Sequence, residues 1–360
     1  MTAPHSLFAS CAPGLEPLLE AELGALGALD PTREAGGVAF RGHRKVIYRV
    51  NLEGGLATHV LVRVAAFHAT HFEALERELD AVDWARWLSP GVARRLRVTA
   101  RKSRLHHTGA IAERAERAIA KRLGDAPDGD DAVPVHLRLF RDRVQVSIDT
   151  SGEPLHRRGY RIRGGPAPLR EDLARALVMA SGWDPRTPLV DPLCGTGTIP
   201  IEAALFARQI APGRLRSFAF ERTPLFDATT WQAVRDAAEV GILDGPPILG
   251  RDRNPDAIEA SRENAERAGV TLELDQATLS TPIALDAPAG AVVTHPPFGK
   301  RVSRNRDLEP LYRALGALVP TGWRLALLTA DRKVGMRAGS TLKTAFLTDA
   351  GGLKVRALVA

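Results

Sequence analysis

Apolar positions in the first 150 residues switch between two periods. Ser6 to Cys11 reads as a short strand, and Gly14 then opens a helix with Pro17 near its start, where proline's fixed φ suits a first turn. Leu15, Leu18, Leu19, Leu23 and Leu26 fall on one face at helical spacing. Gly37 to Arg41 predicts a strand, while Lys45 to Leu52 fits a helix or a strand equally. Leu61 to Ala66 predicts a strand, and Phe72 to Trp87 a helix with Leu75, Leu79, Val82 and Trp87 turned inward. Leu96 to Ala100 alternates as a strand should, Ala110 to Leu123 is helical, and Val135–Phe140 with Arg143–Asp149 reads as a hairpin turning at Arg141-Asp142.

Beyond residue 165 strand and helix alternate, around a long excursion with two aromatic-rich pieces from Phe206 to Gly245. Pro166 to Glu171 starts a helix with Leu173, Leu177, Val178 and Ala180 on its apolar face. Pro188-Leu189-Val190 is a short buried strand, and an alanine-rich helical run spans Ile201 to Ala207. Ile248 to Asp252 is the next strand. Asn254 as N-cap, Pro255 as first helical residue and Gly269 as terminator bracket a helix over 255–268. Ala291–Thr294 and Arg324–Thr329 read as strands on either side of a helix marked by Leu308, Leu311, Tyr312, Leu315 and Leu318. Lys343–Leu347 and Leu353–Val359 form a terminal antiparallel pair. The alternation predicts a mainly parallel α/β sheet.

At 360 residues the chain is long enough for two or three cores. Its two cysteines, Cys11 and Cys194, suffice for neither a disulfide framework nor a zinc site, so no metal is expected and a reducing cytoplasm fits. The start lacks a positive n-region, Pro13, Glu16 and Pro17 interrupt its apolar stretch, and no run reaches the ~20 apolar residues of a membrane span. Neither a signal peptide nor a membrane partner is expected. Net charge, at +7, points to a polyanion. The charge is concentrated: Arg86 to Arg122 carries eleven Lys or Arg against Glu113 and Glu116. The run Arg101-Lys102-Ser103-Arg104-Leu105-His106-His107 sits at a strand-to-helix turn, which favours phosphate contacts over a solvated helical face. His106-His107 reads as a polar pair on that basic face. A second basic stretch, His156 to Gly165, has the glycines of a linker and places a domain boundary near 152–165.

The chemistry centres on Asp191-Pro192-Leu193-Cys194-Gly195-Thr196-Gly197-Thr198. Gly195 and Gly197 let the backbone turn tightly and lie against a ligand. Thr196 and Thr198 offer hydroxyls, the first N–H groups of the following helix are free donors, and Asp191 supplies an acceptor at the strand's end. A dinucleotide site needs a third glycine and an acid about 20 residues on. Here Pro200 follows Gly197, and the next strand-terminal acid is Asp252.

Asp191–Thr198, Gly250-Arg251-Asp252 and His295-Pro296-Pro297-Phe298-Gly299, in that order, resemble the class I S-adenosylmethionine methyltransferases. The last is similar to the Asn-Pro-Pro-Tyr/Phe motif of enzymes that methylate exocyclic amines of bases. Val98 to Leu105, His107-Thr108-Gly109, Pro154 to Tyr160 and Arg216 to Arg222 resemble the THUMP-domain RNA guanine-N2 methyltransferases, which include the amino-terminal half of a large-subunit rRNA enzyme and related tRNA enzymes. The resemblance covers nearly the whole chain. It implies a Rossmann-like class I methyltransferase sheet behind an α+β region. The parts are a ferredoxin-like segment (1–52), a THUMP domain (53–151), a linker (152–165) and the methyltransferase domain (166–360).

The resemblance further implies S-adenosylmethionine held by Asp191, Pro192, Cys194, Gly195, Thr196, Gly197, Thr198, Asp252, Arg253, Gln276 and Ala277, with Asp252 accepting from the ribose. An acid usually stands where Gln276 does. RNA, ribosomal rather than transfer, is implied to meet Arg101, Lys102, Arg104, His107, Arg157, Arg158 and Arg161 of a monomer. Catalysis falls to His295, Pro296, Pro297 and Phe298. The usual asparagine accepts from the target amine, the carbonyl of Pro296 accepts the other hydrogen, and Phe298 stacks on the base. Histidine departs from this pattern: neutral, it keeps one ring acceptor, and protonated, none. The rival readings are an RNA-binding protein that keeps the fold without turnover, and methylation of an amine in DNA or protein, which the front half disfavours.

Overall fold

A computed structural model describes residues 3–165, 168–285, 287–297 and 308–360. The first sheet has seven strands: β1 (His5–Ser10), β2 (Leu29–Glu34), β3 (Gly37–Gly42), β4 (His59–His68), β5 (Arg94–Arg101), β6 (Val133–Phe140) and β7 (Arg143–Asp149). Their order is β2-β3-β1-β4-β7-β6-β5, antiparallel except for the β5–β6 pair. One face is apolar, with Leu7, Val38, Val62, Leu137 and Val146 buried. The helices α1 (Glu16–Ala25), α2 (Arg44–Glu53), α3 (Phe72–Asp80) and α4 (Thr108–Leu123) accompany this sheet. Residues 45–52 are thus helical, because Ile47, Tyr48, Val50 and Leu52 bury as a helical face.

Two expectations change here. The helix begun at Phe72 stops at Asp80, and a 3-10 turn, Trp84–Arg86, replaces its end. The buried Trp84 indole donates to the Leu79 carbonyl at 3.0 Å and so occupies a carbonyl of the helix's last turn. β2, which the pattern did not predict, is an exposed edge strand containing Pro31, defined by its pairing with β3. At the β6–β7 turn both Arg141 (φ 51°) and Asp142 (φ 63°) are left-handed, as a two-residue hairpin requires.

β4 pairs with β1 on one side and β7 on the other. Backbone hydrogen bonding therefore runs unbroken across the expected 52/53 boundary.

The second sheet holds β8 (Leu189–Asp191), β9 (Ile248–Asp252), β10 (Glu273–Gln276), β11 (Ala291–Thr294), β12 (Arg324–Thr329), β13 (Lys343–Ala350) and β14 (Leu353–Val359). The order is β10-β9-β8-β11-β12-β14-β13, with only β14 antiparallel to its neighbours. Its helices are α5 (Glu171–Ala180), α6 (Thr198–Ala207), α7 (Ala228–Val240), α8 (Pro255–Ala268), α9 (Glu309–Leu318) and the short α10 (Arg332–Gly335). From β8 the chain builds outward to β9 and β10, then returns to place β11 on β8's other side. That reversal opens a crevice at the carboxyl ends of β8 and β11, the place where open α/β sheets bind ligands.

Buried polar contacts brace α2 against the end of β7 within the first unit and tie α2 to the second. Asn51 of α2 donates to the Thr150 hydroxyl at 2.9 Å and accepts from Ser151 at 2.7 Å. Tyr48 donates to the Leu225 carbonyl at 2.6 Å and stacks on Phe220.

Candidate active site

β8 ends on Asp191, which is buried. One carboxylate oxygen accepts from the Thr294 hydroxyl at 2.7 Å and from the Leu193 N–H at 3.1 Å. Burial pushes this carboxyl up to about 7, against the pull of those two bonds. The Thr294 bond ties the end of β8 to the end of β11, so the residue after Thr294, His295, stands at the crevice. Burial pushes the His295 imidazole down to about 4, which keeps it neutral at physiological pH. Pro296 is buried and Pro297 half-buried. Phe298 lies outside the described residues.

The glycine turn is built as its residues demand. Gly195 (φ 54°) and Gly197 (φ 84°) are both left-handed. A Cβ on Gly197 would sit 3.1 Å from the Ser261 side chain, whereas a Cβ on Gly195 would meet open space. The Gly195 N–H donates to Asp252 at 3.1 Å, and the other oxygen of that carboxylate accepts from Asn254 at 2.9 Å. Gln276 lies level with Asp252 in the β9–β10 register, exposed, its amide donating to the Arg253 carbonyl at 3.3 Å. The Ala277 N–H donates to the Asp252 carbonyl at 3.1 Å. Asp191, Thr196, Asp252, Arg253, Gln276 and Ala277 thus collect along adjacent strand ends. The thiol of Cys194 is buried, packing toward Gly250 and Ser261, and burial raises its pKa well above the ordinary thiol value, so only the backbone of Cys194 faces the turn. Thr198 is also buried, its hydroxyl taken by Arg161 at 3.1 Å.

Asn264 was missed by sequence reasoning. Fully buried on α8, it accepts from the Ile162 and Arg163 N–H groups (2.9 and 3.1 Å) and donates to the Arg163 and Thr196 carbonyls (both 3.0 Å). It clamps the linker to the glycine turn, while Ser261, one turn earlier, donates to the Gly195 carbonyl at 2.8 Å. A signal existed: Ser261 and Asn264 place polar groups among Ala260, Ala265 and Ala268 on the inner face of α8.

The expected RNA contacts separate. Arg101, Lys102, Arg104 and His107 are exposed together beside the Arg141-Asp142 turn, where the Asp142 carboxylate accepts from the Arg104 N–H at 2.7 Å. Arg157 is exposed near Glu153. Arg158 is turned inward, and Arg161 is 21% exposed and engaged by neighbouring groups. Arg158 is 2% exposed; it meets Glu202 at 3.3 Å and donates to the carbonyls of Leu155 and Gly55. Arg161 bonds Glu171, the Leu169 carbonyl and Thr198. The Arg158 guanidinium is used inside the protein, since a charge buried there must be paired, and the Arg161 guanidinium ties the linker to α5 and α6. The linker is therefore a packed strap. Among the described residues no side-chain cluster has metal-binding geometry, and no helix is long and apolar enough to cross a membrane.

The residues present suit a cofactor with a cationic methionine part and a ribose. Gly195 faces open space, the first N–H groups of α6 point out of the helix, and Asp252 has carboxylate lone pairs beyond its two backbone bonds. The strand order β10-β9-β8-β11-β12-β14-β13, with antiparallel β14 inserted beside β12, is that of a class I methyltransferase, a fold whose cofactor is S-adenosylmethionine. The chain belongs to the family described as RMKL-like, methyltransferase domain, which matches residues 158–344. Residues 6–61 match the RlmL ferredoxin-like domain, as expected for the start of the chain, and carry it past residue 52 into β4.

A "Putative RNA methyltransferase" from Synechocystis is 32% identical over 98% of this chain and 95% of its own length. A "Ribosomal RNA large subunit methyltransferase K/L" from Methylococcus capsulatus is 36% identical over 94% of this chain. This chain spans about half of that relative's length (49%). Among solved structures, "a putative methyltransferase complexed with SAH" superposes with TM-score 0.88 at 30% identity, covering 100% of this chain and 98% of its own. A "predicted N6-adenine-specific DNA methylase" from Listeria monocytogenes superposes with TM-score 0.87 at 30% identity, covering 98% and 96%.

Proposed function

We propose that this chain methylates the exocyclic N2 of guanine in structured RNA, ribosomal RNA in preference to transfer RNA, in the cytoplasm. The observation that carries the reading is a neutral imidazole, His295, at the strand end that Thr294 ties to Asp191. The RNA-methyltransferase names of the relatives support the substrate class. When bound, S-adenosylmethionine supplies an electrophilic methyl group. Asp252 would hold its ribose, and the glycine turn would receive its methionine part. The guanine amine is a poor nucleophile because its lone pair is conjugated with the ring. The unprotonated ring nitrogen of His295 accepts one amine hydrogen and the Pro296 carbonyl accepts the other, which aims the lone pair and stabilises the positive charge that develops on nitrogen. The proton lost from the amine passes to His295 and on to water.

Mass spectrometry of nucleosides from rRNA and tRNA, with and without the protein, tests this reading. N2-methylguanosine gained in rRNA is expected. N6-methyladenosine instead would transfer the site to a different amine. No change in any nucleoside, with RNA and cofactor both bound, would make the chain a binder without turnover.

A further inference from the structure

The cations of the basic run, joined by Arg138 and Arg143 of the β6–β7 hairpin, divide between two faces of the first sheet's outer half, and the two faces differ electrically. On the helical side four cations are paired with acids, Arg94 with Glu116, Arg114 with Glu76, Arg117 with Glu113 and Lys121 with Asp80, while Arg122 meets only the Asp80 carbonyl. On the opposite face of β5, β6 and β7 the cations are not. Arg97 lies opposite His136, Thr99 opposite Arg138, and Arg101 opposite Phe140, which in turn faces Arg143 across the hairpin. Paired residues share a face, so these side chains form one surface. Arg97, Arg101, Arg138, Phe140 and Arg143 are all exposed, and α3 and α4 pack from the other side against α4's neighbour β5 and α3's neighbour β4. Among the described residues those four arginines make no ion pair or side-chain hydrogen bond. The acids of this region are committed elsewhere: Asp142 accepts from the Arg104 N–H. Asp149 is buried between His59 (2.8 Å) and His136 (3.4 Å). Glu34 is bonded to Arg63, and its carboxyl is held below the ordinary range by that bond first and then by the fields of Arg63, Arg138 and Arg143.

The geometry points to this open face of β5–β7 as a docking platform for a single-stranded stretch of RNA. The partner's class rests on the function proposed above; the place and strandedness rest on the surface. Charge complementarity selects a polyanion, and Phe140 selects unpaired bases. Its ring is 41% exposed, stands in register between Arg101 and Arg143, and has the Arg141 guanidinium 5.3 Å from its centroid. An aromatic face flanked by guanidiniums stacks a splayed base while neighbouring cations take phosphates. The strip is about 26 Å long at ~3.3 Å per residue. Its inner end meets the methyltransferase unit, where Ala219 and Phe220 donate to the Ser151 and Thr150 carbonyls just beyond β7. A strand lying on the platform is thereby led toward the catalytic half.

The test is salt-dependent binding of a uridine-rich single strand of about 16 nucleotides and of an RNA duplex of similar length. The triple variant R97A/R138A/R143A is expected to bind the single strand more weakly and to lower the slope of log K against log salt by about 2, at ~0.7 per lost phosphate contact. R97K/R138K/R143K keeps the charges and should keep the slope, and R114A/R117A/K121A on the helical face should not change it. F140A should weaken single-strand binding several-fold without altering the slope, and F140Y should restore it. Cofactor affinity should be unchanged throughout. An unaltered slope in the first triple variant overturns the platform. A duplex bound as tightly as the single strand, with F140A silent, overturns the assignment to unpaired bases, and capture of anionic lipid vesicles in place of RNA overturns the choice of partner. The two readings fail separately. A protein that binds RNA through this slope yet methylates nothing retains the platform and loses the proposed function. One that methylates with an unaltered slope does the reverse.

Discussion

Replacing His295 tests the chemistry where the catalytic motif departs from the family's pattern. Removing a preorganised hydrogen-bonding group aimed at developing charge costs ~10²–10³ in rate. His295→Ala should therefore lose that much in single-turnover methylation while cofactor affinity changes little. The structure also fixes where pH should act. Burial has lowered the imidazole from its ordinary 6.5 to about 4. Only the neutral ring accepts, so the rate should hold as pH falls through 6.5 and drop near 4. At pH 5, roughly 90% of an imidazole titrating at 4 is neutral, against about 3% of one titrating at 6.5. That thirtyfold contrast is readable in a quench assay at a single pH. His295→Asn, which cannot titrate, should remove this acid limb and retain rate. Any limb near 7 shared by wild type and His295→Asn belongs to other groups, Asp191 foremost. The folding side has a matching sign. A depressed pKa contributes stability that is complete above 6.5 and is lost as pH falls toward 4, about 3 kcal/mol across the window. Stability should therefore be followed at each pH by fluorescence. The mechanism fails if His295→Ala is as fast as wild type, or if the rate falls with a midpoint near 6.5 in wild type and not in His295→Asn.

Three further outcomes follow from the buried groups. Asp191 is raised to about 7, so its contribution is greatest below its ordinary 3.8 and is lost as pH rises through 7. Asp191→Asn should shrink the stability difference between pH 4 and pH 8 in urea unfolding by up to ~4 kcal/mol, and an unchanged difference would refute the assignment. Asn264→Ala should weaken cofactor binding about tenfold by calorimetry, because each buried backbone group it leaves unpaired costs ~1–3 kcal/mol. Equal affinity would show that the strap does not set the glycine turn. Arg158→Ala should cost ~3–5 kcal/mol of stability by leaving Glu202 short of a partner, with the RNA salt slope intact; a lowered slope would restore Arg158 to the RNA surface.

Local chemistry made much of this protein legible before any tertiary contact was known. Asn254, Pro255 and Gly269 bracket α8 because capping and left-handed termination depend on neighbouring backbone alone: Asn254 accepts from the Asp256 N–H and Gly269 is left-handed. The glycine turn and the strand before it were readable for the same reason, as was the hairpin at Arg141-Asp142. β2 and β10 were not. They are short and largely exposed, and only the partner strand gives them their hydrogen bonds. Nor could the sequence decide the arginines. Arg157 and Arg158 are adjacent and chemically identical, yet one is in solvent and the other is sealed against Glu202, which arrives from another helix 44 residues on. The eleven cations between Arg86 and Arg122 were countable, but which of them are paired, as Arg94 and Arg114 are, and which stand uncompensated on the sheet face, as Arg97 and Arg101 do, depends on which acids the fold brings near them. Backbone propensity is a property of neighbours in sequence. The burial and pairing of a charge are properties of neighbours in space, and only the tertiary structure supplies those.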